Sequence, residues 1–182
     1  MIALLALLLF TAEPQPYSCG PYLLLPGTDQ MTIVIDHHSA ITAELVYGIE
    51  NADGEERVAH AAPKRHHVFE LNDLRPGTRY WYEVRTGAEL SSGKRNFRTL
   101  PESPDSYDVV VLGDVRSLPQ RWHAVSQQVF RNEATALFII GTGDYPSDGR
   151  QYGLWQKQFF EPARNLLAAK PMWPAPRSNA PA

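Results

Sequence analysis

The sequence predicts two domains: an all-β sandwich followed by an incomplete α/β domain. Three observations carry that expectation. Short runs of alternating hydrophobicity, separated by Gly, Pro, Asn and Asp turns, fill residues 20–100. Beyond a Pro-marked boundary, Leu100-Pro101-Glu102-Ser103-Pro104-Asp105, the pattern changes to continuous β-branched runs alternating with helical periodicity. The chain has only 182 residues. A sandwich needs about 80 to 100 of them, which leaves too few for a sheet with helices on both faces.

Residues 1–12 are apolar and uncharged, too short for a membrane span of about 20 residues, and stand before a polar, Pro-rich stretch. We read 1–16 as a secretory signal segment, which places the protein outside the cytoplasm, secreted or periplasmic. Cys19 is the single cysteine, so no disulfide framework exists within the chain, and a plain buried thiol is expected. Strands are expected at Tyr22–Leu25, Met31–His37, Ala43–Gly48, His67–Leu71, Thr78–Val84 and Arg95–Thr99, with a turn at Asn51-Ala52-Asp53-Gly54.

After Pro76-Gly77, Tyr80, Tyr82 and Val84 alternate with Arg79, Trp81 and Glu83. Tyr80 is placed to return its hydroxyl to the preceding backbone, the corner device of such sandwiches. The pairs His37-His38 and His66-His67 are assigned structural or surface roles, because neighbours on a strand point to opposite faces.

In the second half, Tyr107-Asp108-Val109-Val110-Val111-Leu112 reads as a strand buried on both faces, and Ala136-Leu137-Phe138-Ile139-Ile140 repeats that signature. A helix is expected over 120–133, with Trp122, Val125, Val129 and Phe130 on its inner face. A second, over 151–169, turns Leu154, Trp155, Gln158, Phe159 and Leu166 inward and is kinked or split at Pro162. Pro171-Met172-Trp173-Pro174 begins a third strand. Strand, helix and strand in this order give parallel neighbours. Gly113-Asp114 and Gly143-Asp144 each close a strand, so both carboxylates reach one crevice at the carboxyl edge of the sheet, where α/β proteins bind ligands. Two adjacent carboxylates repel unless a cation neutralises them, and hard divalent ions suit oxygen ligands. A Gly-Asp dipeptide is otherwise an ordinary turn or cap. Two or three parallel strands also leave a hydrophobic edge open.

Composition narrows the functional classes. Lys plus Arg number 17 against 20 Asp plus Glu, for a net charge of −3, and no basic cluster runs beyond two or three positions. A nucleic-acid binder is not expected. No Gly-rich phosphate loop comes after either strand, which disfavours a nucleotide-binding α/β protein.

Residues 74–84, with Gly20-Pro21-Tyr22-Leu23 and Phe97-Arg98-Thr99-Leu100, resemble the fibronectin type III family across 17–100. Val110-Val111-Leu112-Gly113-Asp114, Phe138-Ile139-Ile140-Gly141-Thr142-Gly143-Asp144 and the Asp148-Gly149-Arg150 turn resemble the first two motifs of calcineurin-like metallophosphoesterases. Together with the preceding sandwich and the run from Phe159 to Pro176, they are similar to purple acid phosphatases. That resemblance implies a phosphate-ester hydrolase using two metal ions (Fe, Zn or Mn). Asp114 would be a terminal ligand, Asp144 the bridging one, and Arg116 would hold the substrate's phosphate through its fork of donors.

The chain departs from the family pattern in three places. Tyr145 stands directly after the second Asp and Ser147 occupies the place of the family's ligand Tyr, so a coloured iron site is not expected. Arg177-Ser178-Asn179-Ala180-Pro181-Ala182 replaces the family's Gly-Asn-His segment, and later His motifs are absent. Residues 105–182 are therefore read as the N-terminal part of such a domain, cut near residue 176, with activity absent or impaired. The alternative function is a non-catalytic module whose sandwich mediates interactions.

Overall fold

The computed structural model describes residues 18–52, 56–87 and 90–175. The expected signal segment and the terminal run containing Asn179 lie outside them.

The first region is a sandwich with two strands much longer than the sequence pattern suggests. Strands β1 (Cys19–Leu24), β2 (Met31–Ile49), β3 (Arg57–Leu71), β4 (Arg79–Thr86), β5 (Leu90–Ser91) and β6 (Arg95–Arg98) compose it. The runs expected as separate strands at 31–37 and 43–48 are one strand, β2. Its first half pairs with β1, Val34 opposite Tyr22, and with the second half of β3, Ile33 opposite Phe69. Its second half pairs with the first half of β3 and with β4, Leu45 opposite Val84. The β2–β3 register slips between Asp36 and Ala43, where both strands pass from one layer to the other. Bends of this kind are how strands switch sheets.

Alternation then does the packing. Ile33 and Ile35 from one half of β2, Leu45 and Tyr47 from the other, Phe69 and Leu71 of β3, Tyr82 and Val84 of β4 and Phe97 of β6 bury in one cluster. Each such side chain contributes about 1.5–3 kcal/mol by leaving water. The Tyr80 hydroxyl accepts a hydrogen bond from Arg75 N at 2.8 Å, which fixes the corner before β4. His37 and His67 meet edge-on across the sheet at 5.1 Å, and His67 Nε2 lies 2.9 Å from Ile41 O. These histidines pack the bend. Cys19 is buried, and burial first, then the charge of Asp36, pushes its thiol pKa far above the ordinary range.

The second region is a three-stranded parallel sheet with helices. It comprises β7 (Val109–Leu112), α1 (Pro119–Asn132), β8 (Phe138–Gly141), α2 (Tyr152–Trp155), a π-helical turn (Gln156–Phe160), α3 (Glu161–Leu167) and β9 (Met172–Pro174). Strands β7, β8 and β9 are parallel, Val111 opposite Ile140 and Ile140 opposite Trp173. The expected split at Pro162 takes the form of the wide π turn just before it. Proline has no N–H to give a regular helix, and the turn lets the axis continue. Trp122 Nε1 donates to Phe159 O at 2.9 Å, and His123 Nδ1 and Ser126 Oγ each donate to Pro162 O at 2.9 Å. The loosened backbone is thus held by α1.

Two expectations are corrected. Strand β7 is not buried on both faces: Val111 is 60% exposed, because β7 is the edge strand and the helices cover only the face carrying Val110 and Leu112. On α1 the buried residues are Trp122 and Ser126, whereas Val125 and Phe130 are 49% and 41% exposed. The inward stripe is 122, 126 and 129, one residue round from the stripe that hydrophobicity alone selects.

The regions are joined through the sheet. Leu24 at the end of β1 pairs in parallel with Met172 of β9, giving the path β5-β4-β2-β1-β9-β8-β7. Tyr82 Oη donates to Ala168 O at 2.7 Å, and Gln156 Nε2 donates to Ser18 O. The Tyr22 ring lies 4.7 Å from that of Phe160.

Candidate active site at two strand ends

Strands β7 and β8 run parallel and in register, Leu112 opposite Gly141, so the loops leaving them emerge at the same edge. The two exits are tied together. Thr142 N donates to Leu112 O at 2.8 Å, Asp114 N to Gly143 O at 3.1 Å, and Arg116 N to Asp144 O at 3.3 Å. Gly113 is required here because a Cβ would run into the Thr142 side chain. Gly143 has φ +101°, open to glycine and costly for other residues.

Asp114 and Asp144 adopt the same backbone conformation, φ +56° and +57°. That left-handed region is uncommon outside glycine and is entered most readily by Asn and Asp. Two aspartates, each one residue past a glycine, thus share the left-handed conformation, Asp114 two residues beyond β7 and Asp144 three beyond β8.

Arg116 links them. Its Nη2 lies 3.2 Å from Asp144 Oδ2 and its Nη1 3.3 Å from Oδ1, a two-pronged contact, while Nε lies 3.8 Å from Asp114 Oδ1. The Asp144 side chain is 26% exposed and that of Asp114 83%. The geometry therefore brings together all three residues singled out from the sequence. Asp144 is held, and Asp114 stands free toward solvent apart from the long contact to Arg116.

The surroundings are built for rigidity. Tyr145 is buried, its ring 4.8 Å from Phe159, with Oη donating to Ala175 O at 3.4 Å. Burial raises its pKa. Ser147 N donates to Gln158 Oε1 at 2.7 Å. Asp148 accepts from Arg150 N and Nε, each at 3.0 Å, and from Gln151 Nε2 at 3.1 Å. These bonds hold its carboxyl well below the usual range, and they fasten the turn. Sequence reading missed how Arg116 is used: its backbone and its side chain both grip Asp144. The signal was the two-residue spacing from Asp114, but only the conformation of the exits reveals it.

The donor set tests the implied metal pair. Among the described residues no third His, Cys, Asp or Glu joins Asp114 and Asp144, and a guanidinium already neutralises Asp144. Two carboxylates with that competitor do not by themselves fit two di- or trivalent ions.

No family model and no curated protein matches the chain. The solved structure of PhoD superposes on 90% of it at a TM-score of 0.67 and 12% identity. The chain spans 39% of the PhoD chain. The sensor domain of the anti-sigma factor RsgI4 of Pseudobacteroides cellulosolvens covers half of the chain at a TM-score of 0.41 and 18% identity, matched over 99% of its own length. The fibronectin type III domain of human contactin 1 covers 47% at 0.38 and 14%, over 78% of its own length. The likeness to PhoD is one of fold, and it includes both regions of the chain.

Proposed function

We propose that the chain belongs to a metal-dependent phosphoric ester hydrolase, with residues 17–100 and 105–182 as its two domains. Asp114 and Asp144 are its metal-facing carboxylates, and Arg116 is the cation that meets phosphate oxygens. The observation carrying this reading is the duplicated Gly-Asp exit, left-handed on both strands and joined by Arg116. It stands in a fold shared with PhoD. Kinship with purple acid phosphatases and a pair of Fe, Zn or Mn ions belong to the same proposal and rest on the motifs alone, and export from the cytoplasm rests on the apolar run at residues 1–12.

Two features of the chain support the assigned roles. The two carboxylates leave the same sheet edge from residues of the same left-handed conformation, and the Arg116 fork has the geometry that binds phosphate as readily as carboxylate. An incoming phosphate would compete with Asp144 for that fork. The described donor set does not complete an ion pair, so no reaction step is derived from it.

The test is hydrolysis of an aryl phosphate by the 182-residue chain with Mn²⁺, Zn²⁺ or Fe added. We expect turnover below detection. Turnover that Asp114→Ala and Asp144→Ala abolish would show that these two carboxylates suffice. Turnover that survives both substitutions would overturn the site.

A further inference from the structure

The outer face of the sandwich carries a second feature that the hydrolase reading does not use. Trp81 on β4 points away from the core, opposite Gly48 on β2 and Asn96 on β6. A cleft of about 550 Å³ opens beside Gly48 and the indole, at the end of β2, where Tyr47, Ile49 and Tyr80 also line it. That volume lies within the ~300–1,000 Å³ typical of small-molecule sites.

The cleft gathers cations. Lys94 Nζ sits 4.1 Å from the centre of the Trp81 ring, so its charge is held over the opening rather than swinging in solvent. Arg57 and Arg75, both exposed, line the same cleft. Neither makes an ion pair with a described residue, whereas Arg79 and Arg85, nearby on β4, are paired with Glu50 and Glu83. Glu56 is the one carboxylate among the described lining residues. Among the described lining residues three cations and one carboxylate surround the aromatic wall, and outside the lining Lys94 also feels the charge of Glu83; the excess of positive charge suits an anion.

We propose that this cleft binds a small organic anion, a carboxylate or a phosphate monoester. Its charged end would lie among Arg57, Arg75 and Lys94, and its apolar or aromatic body along Trp81. Arginine forks suit both oxyanions, and the indole favours a flat ligand. The site lies in the sandwich, apart from the Asp114 and Asp144 strand ends, and stands or falls independently of the hydrolase reading.

The experiment tracks the indole N–H signal of Trp81 by NMR at low salt in the full 182-residue chain, with Trp81→Phe identifying the signal. Benzoate and phenyl phosphate are titrated separately, beside benzyl alcohol, phenyl glucoside and inorganic phosphate. We expect at least one aryl anion to shift the signal saturably, and the neutral compounds to leave it in place. Arg75→Ala and Lys94→Ala should each weaken the aryl anion at least about fivefold. Both side chains are exposed, and the corner bond to Tyr80 uses only the Arg75 backbone, so the fold is retained. Benzoate and phenyl phosphate acting alike point to any flat oxyanion; phenyl phosphate acting alone points to a phosphate monoester. No shift with either anion overturns the proposal. So do equal binding of phenyl glucoside and binding indifferent to both substitutions. Inorganic phosphate binding as tightly as phenyl phosphate would remove the indole's part and overturn it too.

Discussion

The sandwich and the parallel-sheet region bury their apolar residues by different means. The sandwich supplies both of its layers: the two halves of β2 and β3 face each other, and Ile33, Leu45, Phe69 and Tyr82 meet in one cluster. The parallel sheet supplies one. Its helices cover Val110, Leu112 and Ile139, and the cluster is completed by Tyr22 and Leu24 of β1. On the other side Val111, Tyr107 and Trp173 remain exposed. A β-branched strand is apolar on both faces whichever layers surround it, so the same residue type is core in one region and surface in the other. The number of layers decides, not the strand's own composition.

That contrast can be broken in graded steps. Leu45→Ala empties a site enclosed on all sides and should cost about 2–5 kcal/mol in urea unfolding. Tyr82→Phe removes the bond from the sandwich to Ala168 at the end of α3, and should cost about 0.5–1.5 kcal/mol. If the regions unfold as one unit, the transition of this variant stays single; two separated transitions would show that the junction is what couples them. Val111→Thr should change stability by no more than about 0.5 kcal/mol, since most of that side chain already meets water.

The sandwich also carries a pH-dependent contact. Glu83 on β4 accepts from Ser91 and from Arg85, and these contacts lower its pKa from the ordinary 4.5. A carboxyl with a depressed folded-state pKa adds stability that is fully present above its unfolded value and is lost as pH falls through the folded one. Stability should therefore drop below about pH 4.5, and Glu83→Gln should flatten that acid limb while leaving the neutral-pH slope unchanged.

Much of the architecture was legible because it depends on local pattern. Period-two alternation located the sandwich strands, and the change to β-branched runs located β7 and β8. The Tyr80 corner was legible from the Pro76-Gly77 turn before an aromatic strand. The fusion of two runs into β2 was not, because the bend over Asp36–Ala43 depends on which strands flank each half. The exposure of Val111, Val125 and Phe130 depends on what covers a face, which no window of sequence contains. At the site, Gly113-Asp114 and Gly143-Asp144 announced themselves. The grip of Arg116 on Asp144 did not, since it arises from loop conformation across 28 residues. The approach of Lys94, in the loop before β6, to the Trp81 ring on β4 was not legible either, since it depends on how the two strands pair.

At the proposed site Asp114 and Asp144 form one cation-facing edge, with Arg116 as the competing charge. The most direct test is paramagnetic broadening of amide signals by Mn²⁺, titrated into the 182-residue chain. Broadening should begin at Gly113, Asp114, Gly143 and Asp144, with weak affinity, and should disappear in Asp114→Asn combined with Asp144→Asn. Arg116→Gln should tighten it by up to about fivefold, the scale of a partly exposed ion pair. Broadening centred elsewhere, or unchanged by the double substitution, would rule out this site.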